Sequence, residues 1–135
     1  MNMKLRKANG EEGHILVKSF EMEDPTFESE SPHVARATFS NPKSISFTFT
    51  SELYLGKTVG SKVVTSGVQS LTVPAKGTAT KDFSVNMPAL TIPSDIFHCY
   101  LEIKEAGVLV ITFIADTDVT VIVTPAINVT GIVWT

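Results

Sequence analysis

The residues that could do chemistry are few, and their spacing decides what each can offer. A serine or cysteine nucleophile needs a base beside it, and the chain has no Gly-x-Ser-x-Gly elbow. Cys99 lies between Phe97 and Leu101 at alternating positions. This predicts a buried, inert thiol that packs as a small hydrophobe. His14, His33 and His98 are scattered, with no His-x-x-x-His spacing for a metal. His98 falls on the outward parity of its segment and reads as a solvated strand histidine.

Carboxylates are more numerous. Glu21, Glu23, Asp24, Glu28 and Glu30 form an acidic stretch around Pro25. Glycosidase chemistry needs two carboxyls facing each other across a cleft, and nothing in the sequence places these so. A charged loop beside a short edge strand near Phe27 is the expectation. Asp116 and Asp118, in Asp-Thr-Asp, put two carboxylates on one turn. Calcium takes six to eight oxygens, so this pair is a weak calcium candidate, with Glu102 and Glu105 the nearest acids to complete it. A plain turn is the competing reading. No phosphate-binding Gly-x-x-x-x-Gly-Lys is present, and no cofactor is expected. Asn128-Val129-Thr130 matches the glycosylation sequon, read as a chance match.

The elements that must position these residues are strands. Between 44 and 55, Ile45, Phe47, Phe49, Leu53 and Leu55 share one parity, with Ser46, Thr48 and Thr50 between them. In a strand a shared parity is a shared face, so the first set faces the core and the Ser/Thr face is wet. Ala35, Ala37 and Phe39 repeat the pattern upstream. Phe83, Val85 and Met87 repeat it downstream, as do Phe97, Cys99, Leu101 and Ile103, then Val119, Val121 and Val123. The run 108–115 is almost wholly apolar, as for a strand covered on both faces. Turns fall at 56–62, at Gly67, at 74–77, at Glu105-Ala106-Gly107 and at 116–118. Prolines mark 88–93 as a crossing segment. Residues 14–22 and 127–134 each read as a further strand. Eight to ten short strands without helical period predict an antiparallel immunoglobulin-like β-sandwich.

The 135 residues fit one domain. We expect an N-terminal arm at 1–13 that orders on binding, and a sandwich at 14–135 best specified over 34–124. A net charge of −3 lacks the basic footprint of nucleic-acid binding. Lys4 and Arg6 open the chain like a signal peptide, but no apolar stretch follows. The longest apolar run, 108–111, is far short of the roughly 20 residues of a membrane helix. The chain is therefore expected to be cytosolic at synthesis, with export in a particle left open. With one cysteine there is no intrachain disulfide.

Ala37-Thr38-Phe39-Ser40-Asn41-Pro42, Leu53-Tyr54-Leu55-Gly56 and the stretch from Leu71 through Val73-Pro74-Ala75-Lys76-Gly77 to Ala79 carry a resemblance. So do Tyr100-Leu101-Glu102-Ile103 and Gly107-Val108-Leu109. Over 34–124 the chain resembles CARDB-like bacterial and archaeal immunoglobulin-like domains. The Asn-Pro and Val-Pro-Ala-x-Gly turns also resemble the type 2 late-embryogenesis-abundant, water-stress domain. Both resemblances imply a sandwich and bring no catalytic constellation. CARDB-like domains imply surface adhesion, and the water-stress family implies stress protection or ligand binding.

The leading expectation is a non-enzymatic interaction module with protein partners, a subunit of an assembly such as a virion decoration, capsid-associated or tail protein. Trp134, Ile132, Lys4 and Arg6 are the expected contact residues. Trp134, the single tryptophan, is either docked on the sandwich or offered to a neighbour.

Overall fold

The computed structural model describes residues 2–3, 5–10, 16–21, 26–124, 131 and 133–134, the first three stretches by their backbone. The described residues are all-β. In chain order the strands are β1 (Asn2–Met3), β2 (Leu5–Gly10), β3 (Leu16–Glu21), β4 (Thr26–Glu28), β5 (Pro32–Ser40) and β6 (Phe47–Gly56). They continue with β7 (Val64–Thr65), β8 (Gln69–Val73), β9 (Thr78–Asn86), β10 (Ser94–Glu105), β11 (Val108–Ala115) and β12 (Val119–Ile122).

One sheet has the order β1-β3-β5-β9. The other is built around β10, the longest strand. Leu101 pairs with Phe113 of β11 on one edge and with Leu53 of β6 on the other. Beyond β11 lies β2, and beyond β6 lie β7 and β8. After the break at 116–118, β12 carries the antiparallel register along the first half of β10. β4 then pairs with β12 in parallel, the one departure from an antiparallel arrangement among the described strands. The chain alternates between the sheets from β1 through β6, stays in one sheet through β8, enters the other for β9 and returns for β10–β12. This is the immunoglobulin-like sandwich that the periodicity predicts.

The inward parities fill the space between the sheets. Phe39, Phe49, Leu53, Leu55, Phe83, Leu101 and Val119 are all at most 2% exposed. The Phe39 and Phe49 rings meet edge to face at 5.2 Å. Each such side chain contributes about 1.5–3 kcal/mol by leaving water.

The turn motifs have local causes. Buried Asn41 donates to Ile45 O (2.7 Å) and Val73 O (3.2 Å), and its Oδ1 accepts from Lys43 N–H. It thereby ties the 41–46 crossing to β8. At Gly77 a Cβ would stand 2.6 Å from the Pro74 ring, so the turn into β9 requires glycine.

Several expectations are corrected. Ile45 shares parity with Phe47 but lies before β6 and is 65% exposed. Of 108–115, only 111–115 are buried, because the hairpin tip extends beyond the sandwich. Val123 falls past β12 and is exposed. The described residues hold twelve strands, more than the eight to ten expected, because the segment read as an arm adds β1 and β2; the turn expected at Gly67 separates β7 from β8. Leu5–Gly10, read as part of an arm, pairs with β11, and Asn2–Met3 pairs with β3. Most of the segment read as a last strand, 127–134, lies outside the described residues.

Candidate functional site

On the solvent-side face of the β6–β10–β11 sheet Ser46 and Thr48 are exposed as the alternation reading expects, but the middle of the face is covered. β6 carries Glu52-Leu53-Tyr54 and β10 carries Tyr100-Leu101-Glu102. The antiparallel register sets Glu52 against Glu102 and Tyr54 against Tyr100. Thr112 and Ile114 of β11 extend the same two rows. All six are under 9% exposed. The tyrosine rings stack at 5.0 Å.

Like charges directly opposite on neighbouring strands repel, and here Lys62 bridges them. Its Nζ lies 2.7 Å from Glu52 Oε1 and 3.3 Å from Glu102 Oε1, and 5.3 Å from the Tyr54 ring centre. Lys104 Nζ adds a contact to Glu102 Oε1 at 3.5 Å. The Thr65 hydroxyl donates to Glu52 Oε2. Burial pulls the Glu52 carboxyl upward, but the bonds from Lys62 and Thr65 and the Lys62 and Lys104 charges outweigh it and hold it below its ordinary value. Burial pulls Lys62 downward, and the two glutamates outweigh that and raise it. Burial raises the Tyr54 phenol, although its oxygen accepts a bond from Gly60 N–H at 3.0 Å.

The cluster works as a latch. It fixes the loop after β6 against the sheet, and that loop leads directly into β7. Gly56 permits the fold-back, since a Cβ there would sit 1.8 Å from Ser61 O. Lys57 adds a second tie, 2.5 Å from Asp95 Oδ1 and 4.4 Å from the Phe97 ring centre.

Next to this latch the sandwich is open. A cleft of about 750 Å³ lies between β7 and the ends of β5 and β9. Its walls are Pro32, His33 and Val34, then Val64 and Thr65, then Ser84, Val85 and Asn86. A narrow apolar gap beside it runs between the sheets to Leu53, Leu55, Phe83 and Met87. The His33 ring lies tilted by 35° against Phe27 with ring centres 4.1 Å apart, and its Nε2 is 2.9 Å from Ser31 Oγ.

The cleft is bounded by strand edges. Met87 N–H donates to Ser31 O, and Met87 O accepts from Glu30 N–H. Backbone groups alternate along a strand, so Ser84 and Asn86 turn theirs away from β5, toward the cleft. Farther along this edge Gln69 Nε2 caps Asp82 O at 3.1 Å. The sandwich edge is therefore tied shut beside β8 and open beside β7.

The other predicted residues are dispersed. Cys99 is buried between the sheets, and desolvation pushes its thiol up to about 12. His98 Nδ1 is 2.8 Å from Asp118 Oδ1, and Thr117 Oγ1 donates to Asp116 Oδ1 at 3.4 Å. Glu102 belongs to the latch and Glu105 to the exposed β10–β11 turn. Among the described residues no three acidic, histidine or cysteine side chains converge as metal ligands. Glu28 and Glu30 are exposed, and Glu21 ends β3. Arg6 lies in β2 opposite Ile114. His14, Glu23, Asp24, Lys4 and Ile132 lie outside the described residues. Trp134 is 94% exposed and Val133 86%. Among the described residues no helix is long and apolar enough to cross a membrane.

The latch carboxylates were missed because parity alone does not give register. The readable signal is the mirrored pair Glu-Leu-Tyr and Tyr-Leu-Glu, which meets like with like once the strands run antiparallel.

No family's sequence profile matches the chain, and no curated protein matches it. Among solved structures it is similar to the crystal structure of the C-terminal domain of Wzt. The TM-score is 0.57 at 10% identity, over 96% of this chain and 82% of that one. At that identity the likeness concerns the fold alone.

Proposed function

We propose that this domain is a non-enzymatic interaction module that works as a subunit of a larger protein assembly. The observation that carries the reading is Trp134. Of the two expectations for it, docked or offered, it stands 94% exposed beside an exposed Val133. An exposed tryptophan beside a second exposed apolar residue supports a contact role, since tryptophan is enriched among the residues that dominate binding energy. A virion decoration, capsid-associated or tail subunit is the specific version we favour. The resemblance to CARDB-like domains supports an adhesion-type module as the alternative.

A second reading has its own observation. The cleft beside β7 has the size of a small-ligand site, which supports a ligand-binding sandwich of the kind the water-stress resemblance implies. Size-exclusion chromatography with light scattering separates the two. The assembly reading predicts a mass above one chain that falls when Trp134 is replaced by alanine. A strictly monomeric chain that retains no partner when immobilised would overturn it.

A further inference from the structure

We infer that segment 57–68 is a hinged strap locked by the carboxylate latch, and that its release joins the cleft to the apolar gap between the sheets. The inference goes beyond both readings above and holds whichever of them is right.

The strap is held mainly by polar bonds. No residue from 57 to 68 is buried, so the segment takes little apolar surface out of water. Its ties to the sheet are Gly60 N–H to the Tyr54 hydroxyl, Val63 N–H to Leu55 O and Ser66 N–H to Leu53 O. The Ser66 hydroxyl accepts from Leu53 N–H in return. Lys62 and Thr65 add the ionic part, Lys62 bonded to Glu52 and Glu102 and Thr65 to Glu52. A segment with few buried apolar contacts is where local opening concentrates. Gly60 and Gly67, with φ of 84° and 78°, let the chain turn on either side of β7.

Val64 makes the strap a lid. The register sets Thr65 beside Tyr54 on the solvent-side face and Val64 beside Leu55 on the inner face. Leu55 lines the gap with Leu53, Phe83 and Met87. Val64 lines the cleft and packs against the core that contains those four. The cleft and the gap share His33, Val34 and Val85 as walls, and β7 also contacts β9 of the facing sheet. Lifting β7 therefore removes the side chain that stands beside the gap and makes one space of the two. Lock and lid are on opposite faces. Glu52 holds Thr65 from the outside, and the next residue along the chain covers the inside, so charge on the outer face governs access to the inner one.

Native-state amide exchange in low urea, paired with oxidation of Met87 by dilute hydrogen peroxide, tests this on the full chain. The Gly60, Val63 and Ser66 amides should exchange through an opening that barely responds to urea, while the amides of β10 exchange by global unfolding. Met87 is 3% exposed, and its sulfoxide should form slowly in the wild type. Lys62→Met should speed strap exchange roughly tenfold or more and speed Met87 oxidation in step, with the β10 amides changed less. Glu52→Gln leaves Lys62 its Glu102 partner; it should act in the same direction more weakly, and it serves should Lys62→Met fail to fold. Strap amides that exchange only together with β10 would overturn the strap as a separate unit. Strap exchange unchanged in both variants would overturn the latch as its lock. Faster strap exchange with Met87 still shielded would overturn the joining of cleft and gap.

Discussion

At the scale of single residues, Lys62 decides most. It is the cation between two carboxylates that the register forces together. Lys62→Met keeps the stem and removes the charge, which leaves Glu52 and Glu102 side by side with little water. We expect a loss of about 1–3 kcal/mol in urea unfolding, the cost of leaving buried polar groups unmatched. The pH dependence follows from Glu52. Its carboxyl is held below the ordinary 4.5, so its contribution is present above that value and is lost as pH falls through the folded-state value. Lys62 is held above the ordinary 10.5; its contribution is present below that and is lost as pH rises past the folded-state value. Urea midpoints measured across pH should therefore fall on the acid side, and Glu52→Gln should flatten that fall. An unchanged acid limb in the Gln variant would remove Glu52 from the account. Ala106 is a second informative residue, with φ of 52° in the β10–β11 turn. A side chain in that region costs roughly 1–2 kcal/mol, so Ala106→Gly should raise the thermal midpoint despite the entropy that glycine adds to the unfolded chain.

At the scale of elements, alternation predicts which side chains enter the core and fails where pairing decides the outcome. Phe47, Phe49, Leu53 and Leu55 are buried as their parity requires. Ile45 keeps the parity and loses the strand, because Asn41 bonds its carbonyl and holds it in the crossing loop. Phe49→Ala should cost about 3–5 kcal/mol as a large-to-small core change, and Ile45→Ala should stay within about 0.5 kcal/mol. Equal losses at the two positions would contradict the boundary of β6. The opposite face was misread for a related reason. Parity says that Glu52, Tyr54, Tyr100 and Glu102 point away from the core, and they do; it does not say what stands over them. Lys62 reaches them from a loop whose path depends on Gly56 and on contacts far along the chain. The cleft beside β7 was equally unreadable, since it is the space between two edges that only the assembled sheets define.

For the whole molecule, the sandwich is specified by local signals that agree with one another: parity within strands, glycine and proline between them, and Asn41 at a crossing. The parallel β4–β12 pair and the N-terminal strand β2 on β11 were not legible, because both join segments distant in sequence. Among the described residues, an open edge beside β7 and an exposed Trp134 stand at its margins. The central claim is that this tryptophan is a contact residue of an assembly. As the single tryptophan, it reports its own environment. The direct measurement is its emission and acrylamide quenching in the full chain, read against particle mass from dilute to concentrated solution. The account predicts a fully quenchable tryptophan in the single chain that shifts to the blue and becomes shielded as mass rises. A tryptophan already shielded in the monomer, or one still fully quenchable in the assembly, would contradict it.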